Sequence, residues 1–164
     1  MRPLPTPPGA GQESVWDYPR PPRVERTPRR VRIEHRGAVL LDTHDVIRVL
    51  ETSHPPVYYV PRAALEPGVL VPCEGSSHCE WKGQAVYWDV RVHAERLPRV
   101  GWSYPISDRG CELLADRIAF YAGPFDRCFV DDHLVTPQPG GFYGGWVTPD
   151  VVGPFKGGPG SWGW

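Results

Sequence analysis

Apolar and polar residues alternate along this chain in short stretches bounded mostly by Gly or Pro, the pattern of half-buried β-strands joined by turns. Val31-Arg32-Ile33-Glu34-His35 alternates, Arg36-Gly37 makes a tight turn, and Ala38-Val39-Leu40-Leu41-Asp42 follows, so a hairpin is predicted. Val46-Ile47-Arg48-Val49-Leu50-Glu51 permits a strand or a helical turn, and its β-branched residues favour the strand. Val57-Tyr58-Tyr59-Val60, held between prolines, predicts a further strand, with one helical turn after it at Arg62-Ala63-Ala64-Leu65. The longest strand expected is Gln84-Ala85-Val86-Tyr87-Trp88-Asp89-Val90-Arg91-Val92, with Val86, Trp88, Val90 and Val92 towards the core and the other set facing away.

Beyond it, Val100 to Tyr104 predicts a paired strand, and Asp108 to Asp116 a short helix capped by an acidic residue. Ile118-Ala119-Phe120-Tyr121 and Arg127-Cys128-Phe129-Val130 predict two strands about a Gly-Pro turn. Asp131-Asp132 then turns the chain into His133-Leu134-Val135, completing a meander. Pro137 to Trp164 has too much Gly and Pro for regular elements but carries Phe142, Tyr143, Trp146, Phe155, Trp162 and Trp164, so it reads as a loop clasp packed by aromatic rings.

Composition narrows this picture. With 21 Pro and 18 Gly in 164 residues a helical bundle is disfavoured, and the length suits one domain. Residues 1–12, rich in Pro and poor in apolar area, are expected to form a flexible tail before a single domain at 13–164. Trp16 and Tyr18, set among prolines, suggest an N-terminal strap. A formal net charge of -1 offers no global field for nucleic acid or an anionic membrane. No apolar run is long enough to span a bilayer or to act as a secretory signal, so a soluble cytoplasmic protein with reduced thiols is expected. Cys73, Cys79, Cys111 and Cys128 contain no Cys-x-x-Cys pair, so neither a structural metal nor a cofactor is expected.

Glu13-Ser14-Val15-Trp16-Asp17-Tyr18-Pro19-Arg20-Pro21-Pro22, Leu50-Glu51-Thr52-Ser53-His54-Pro55-Pro56, His78-Cys79-Glu80-Trp81-Lys82-Gly83 with Tyr87-Trp88, and Phe142-Tyr143-Gly144-Gly145-Trp146-Val147-Thr148-Pro149-Asp150 resemble, in order, the signature blocks of the DUF427 family. The resemblance implies a mainly β fold: a compact, antiparallel, barrel-like sheet of the β-tent or Mss4-like group, with one or two short helices and a cleft on one side. Related families often hold zinc through paired Cys-x-x-Cys motifs, which this chain lacks. A nucleotidyltransferase label has also been attached to the family. That chemistry needs a Gly-Ser turn and spaced carboxylates for two metal ions, a constellation absent here, and Asp131-Asp132 reads as a solvated turn.

Candidate chemistry lies at strand ends. Glu51 and His54, stiffened by Pro55-Pro56, with Cys79 beside His78 and Lys82, are the candidate catalytic residues of one shared cleft. Each also has a structural reading: a satisfied turn for Ser53 and His54, a buried thiol for Cys79, and an ion pair with Glu51 for Lys82. Ser53 lacks the Gly-x-Ser-x-Gly elbow of a nucleophile. Tyr58, Tyr59, Trp81, Trp88, Trp102, Tyr104, Tyr121 and Trp146 either line a ligand pocket or fill the core, the first six being the candidate ligand-binding residues. The reading that results is an aromatic-lined cleft for an unidentified small molecule, with any reaction left open. The alternative is a peptide or protein interaction module, and nucleotide transfer ranks last.

Overall fold

The fold is that of a computed structural model describing residues 2–79, 83–105 and 110–164, the side chains of 74–79 and 83 excepted. Strands dominate. They run β1 (Glu13–Ser14), β2 (Arg23–Thr27), β3 (Val31–His35), β4 (Ala38–Thr43), β5 (Val46–Leu50), β6 (Val57–Pro61), β7 (Leu70–Cys79), β8 (Gly83–Val92), β9 (Glu95–Ser103), β10 (Arg117–Phe120), β11 (Arg127–Val130), β12 (His133–Leu134), β13 (Thr136–Pro137), β14 (Trp146–Val147) and β15 (Val151–Val152). The expected short helices are single 3-10 turns at Arg62–Ala64 and Glu112–Leu114, and a further such turn lies at Val15–Asp17, where an extended strap is expected. Of the two expected, the second replaces the helix expected over 108–116; its N-cap is Cys111, whose side chain makes no capping bond, and Asp108 lies outside the described residues.

Two antiparallel sheets carry the fold, one in the order β2-β5-β6-β10-β9-β8-β7 and one in the order β12-β11-β3-β4. No pairing among the described residues closes them into a barrel. β3 and β4 form the expected hairpin, and both turn residues, Arg36 (φ 52°) and Gly37 (φ 75°), take the positive φ that a two-residue turn between twisted strands requires. Between the sheets lies the largest core cluster, which includes Val31, Ile33 and Leu41 from the small sheet and Tyr58, Val60, Val90, Ile118 and Phe120 from the large one.

The large sheet is covered on its other face as well. Alternation sends Tyr58 and Val60 of β6 to the first cluster and Tyr59 to a second, where it meets Ile47, Val49, Ala85, Trp102, Tyr104, Leu114 and Ala119. The single core face expected for β8 is therefore corrected. Val90, Val92 and Trp88 do pack on the first cluster, but Ala85 and Tyr87 pack on the second, because each face of this sheet carries a core cluster.

Asp89, also expected to face away, is buried. The pairing of β8 with β9 shifts between Trp88 and Val90, and Asp89 holds the resulting bulge: its carboxylate accepts from the Arg99 N–H at 2.8 Å and from Arg96 Nε at 2.6 Å. Arg99 thereby stays in the left-handed region, at φ 49°. That backbone bond, opposed by burial and assisted by Arg96, keeps the Asp89 carboxyl below its usual range.

The two ends of the chain meet. β1 pairs in parallel with β15, and Val15, Trp16, Tyr18, Leu50 and Val151 form a third apolar cluster. Trp16 donates its indole N–H to Pro154 O at 2.9 Å, so the N-terminal segment is a strap that packs an aromatic onto the C-terminal clasp. Before the strap, Thr6 N–H donates to Gly153 O at 2.8 Å and Gln12 Nε2 to Pro149 O at 2.9 Å.

Candidate functional site

Pro55 and Pro56 separate β5 from β6 by a loop whose shape is fixed from both sides. His54 N–H donates to Glu51 O at 3.0 Å, and Ser53 sits at φ 73°, a backbone state that costs a serine about 1 kcal/mol or more. Its neighbours hold it there: Ser53 N–H donates to Val15 O at 3.0 Å, and Lys156 N–H donates to Ser53 O at 2.9 Å. The hydroxyl itself is buried and has no hydrogen-bond partner among the described residues.

On this loop sits the clasp. β13 pairs with β14, Trp146 N–H donates to Pro56 O at 2.8 Å, and the fully buried Trp146 indole donates to Phe120 O at 2.8 Å. Gln138, also buried, joins the parts. Its Oε1 accepts from Gly145 N–H at 2.9 Å, which makes the other amide atom a donor, and Nε2 donates to Lys156 O at 2.8 Å and to His54 Nδ1 at 3.0 Å. His54 must then be unprotonated at Nδ1, which leaves its ring proton on Nε2, directed at Glu51 Oε2 3.7 Å away. Arg20 Nε stands 3.3 Å from the same carboxylate oxygen. The Tyr143 ring meets the His54 ring edge to face at 4.7 Å.

Between the clasp and the turn after β10 lies a cleft of about 390 Å³. Tyr121, Ala122, Gly123 and Pro124 form one wall, Pro137, Gln138, Gly141, Tyr143, Gly144 and Gly145 the other, and Arg99 closes one side. Gly144 presses against Trp102 so tightly that a Cβ there would enter the indole ring. The Arg99 guanidinium lies 4.2 Å over the Tyr87 ring, and Tyr121 OH donates to Phe142 O at 3.3 Å. At the clasp's outer edge Phe142 and Trp162, each 63% exposed, stand edge to face at 5.8 Å.

Of the residues singled out from the sequence, Glu51 and His54 come together. Cys79, through its side chain, and Trp81 and Lys82 lie outside the described residues. Tyr59, Trp102 and Tyr104 gather in the second core cluster, where Trp102 Nε1 donates to Tyr59 OH at 3.2 Å. Tyr58 is on the opposite face in the first cluster, and Trp88, packed beside it, donates to Ser103 Oγ at 2.9 Å. Among the described residues, the cleft meets this set through Trp102 behind Gly144 and His54 behind Gln138 and Tyr143. Tyr121 is among the rings expected to line a pocket or fill the core; Arg99, Gln138 and Tyr143 were not singled out as polar or ligand-binding residues. The signal available was the block Phe142-Tyr143-Gly144-Gly145-Trp146, whose paired glycines admit a close approach.

Other titratable groups are spent on structure. Burial raises the Tyr58 phenol to about 12 and the Cys128 thiol to about 12, and burial with the nearby Asp89 charge raises the Cys73 thiol. Asp131 accepts from Arg29 Nε and Arg30 N–H, both at 3.0 Å, the work of a turn carboxylate. Asp150 is held by Arg29 at 2.6 Å and by Thr148, and these bonds outweigh burial to keep its carboxyl below the usual range. Among the described residues no group of three or more His, Cys, Asp or Glu is placed to hold a metal ion, and no helix is long and apolar enough to cross a membrane.

Residues 23–131 match a family model described as a domain of unknown function, DUF427. No curated protein matches the chain. The matched stretch contains Arg99 and the wall at 121–124 and stops short of the clasp that forms the opposite wall.

Proposed function

The chain belongs to the DUF427 family, whose function is unknown, and from that premise we propose that the domain binds a small molecule in the cleft between the clasp and residues 121–124. The observation that carries this reading is the cleft. Its volume of about 390 Å³ falls in the ordinary range for small-molecule sites, and it joins Tyr and Pro walls to few polar groups. Gln138, locked by its bonds to Gly145, Lys156 and His54, holds the clasp wall in place before any ligand arrives, which lowers the entropy cost of binding. No Cys, Ser, His or carboxylate lines the cleft among the described residues, so binding is proposed rather than a reaction.

A second reading, an interaction module, is favoured by one observation, the exposed Phe142 and Trp162 in edge-to-face contact. Native mass spectrometry of freshly purified protein separates the two. A retained adduct of small-molecule mass that is weakened in Tyr121→Ala and Tyr143→Ala supports the cleft. An adduct unaffected by either variant, or protein that only self-associates through a surface abolished in Phe142→Ser with Trp162→Ser, counts against it.

A further inference from the structure

We infer that the N-terminal strap is a regulatory arm whose docking fixes the clasp wall of the cleft, with Ser53 as the switch between them; its effect on a ligand rests on the cleft reading. The strap holds each of residues 51–53. Val15 O accepts from Ser53 N–H at 3.0 Å, Tyr18 O from the Thr52 hydroxyl at 2.6 Å and Pro19 O from Thr52 N–H at 3.2 Å. Arg20 gives Nη2 to Thr52 O at 2.8 Å and sets Nε 3.3 Å from the Glu51 carboxylate. From this loop two routes lead to the cleft. Ser53 O accepts from Lys156 N–H at 2.9 Å, and Lys156 O accepts from Gln138 Nε2 at 2.8 Å. His54, the next residue, accepts from the same Nε2 at 3.0 Å and meets the Tyr143 ring at 4.7 Å. Gln138, Tyr143 and Gly145 all line the cleft, and Gln138 Oε1 fixes Gly145 N–H at 2.9 Å.

A row of contacts couples two sites only where one link has two arrangements. Ser53 is that link. It carries two costs in the docked state: a left-handed backbone at φ 73°, and a fully buried hydroxyl with no hydrogen-bond partner among the described residues. Val15 grips its N–H from the strap side and Lys156 its carbonyl from the clasp side, and these two bonds hold it there. Withdrawing the strap removes the first grip. Ser53 then relaxes to negative φ, which turns its carbonyl relative to its N–H and off Lys156, so Gln138 loses the fixed position of both its acceptors. The strap leaves without breaking either main sheet, because β1 pairs with β15 in a sheet of their own. Its other ties are the Trp16 indole on Pro154 O at 2.9 Å, the apolar cluster around Val15, and Glu13, bonded by Arg48 and Tyr18 at 2.8 Å each. A ligand resting on the clasp wall binds the docked state more tightly and in return holds the strap down.

Amide hydrogen exchange on the full chain, followed by NMR, tests this. In Trp16→Ala the amides of Ser53, Lys156 and Gly145 are expected to exchange at least tenfold faster, while those of the β3–β4 hairpin change less than twofold. Glu13→Gln keeps the buried ring and weakens the Arg48 tie; it should give the same pattern at smaller amplitude, and it carries the test if Trp16→Ala does not fold. Glycine holds a left-handed backbone without help, so adding Ser53→Gly to either strap variant should bring its Gly145 response below threefold. No acceleration at Gly145, or an equal acceleration across the β3–β4 hairpin, overturns the coupling. A Gly145 response undiminished by Ser53→Gly overturns Ser53 as the switch. No ligand is needed, so either outcome leaves the cleft reading to its own test.

Discussion

At the scale of single residues, Gln138 is the side chain on which the clasp depends. One buried amide satisfies Gly145 N–H, Lys156 O and His54 Nδ1, groups from three separate stretches of chain. Gln138→Leu preserves bulk but strands all three, at about 1–3 kcal/mol for each group left buried and unpaired. A clearly lower melting temperature is expected in a thermal melt, and an unchanged one would show that the clasp is held elsewhere. Glu13 gives a prediction with pH. Hydrogen bonds from Arg48, opposed by burial and supported by Tyr18, hold its carboxyl below its ordinary value of 4.5. Its folded-state pKa is depressed, so its contribution is present at neutral pH and is lost as pH falls below about 4.5 and through the folded-state value. Arg48→Met should therefore flatten the acid limb of a stability-against-pH curve measured in urea; an acid limb as steep as the parent's would contradict it.

At the scale of elements, glycine decides how closely the clasp seats on the sheet. A Cβ at Gly144 would enter the Trp102 ring, so Gly144→Ala is expected to cost about 1–3 kcal/mol by overpacking, and an undiminished urea midpoint would refute that seating. The same elements show what could be read without coordinates. The hairpin at 31–42, the strands at 46–50, 57–61 and 127–130, and the turn at 62–64 follow from local alternation and punctuation, which depend only on near neighbours. β2 and β7 escaped notice because Arg23-Val24-Glu25-Arg26-Thr27 is a polar edge and Pro72 and Gly75 interrupt the other. Tyr58 and Tyr59 were legible as large apolar residues, yet which face each would take depends on a second core known only from the fold. The cleft was less legible still. Arg99 matters because a bulge re-aims it, and Gln138 because the clasp folds back on a loop more than 80 residues earlier, neither of which leaves a local pattern.

At the scale of the whole molecule, the chain ends close over the large sheet as one structure, with the strap at Trp16 meeting the clasp at Pro154 and Trp164. Trp16→Ala is expected to cost about 3–5 kcal/mol, the usual range for a buried Trp. A truncation beginning at Glu13 loses the bonds of Thr6 and Gln12 and the Arg2 guanidinium 5.0 Å over the Trp16 ring, and should melt within a few degrees of the parent. Equal melting of Trp16→Ala and the parent would remove the strap from this picture. The central claim, that the space enclosed by clasp and sheet is a ligand site, is tested most directly by a fragment screen followed through amide chemical shifts. Binding fragments should shift Gly123, Gly141, Gly144 and Gly145 together, along with the Trp102 indole behind them. Fragments that bind but leave those amides unmoved, or a screen without a single binder, would contradict it.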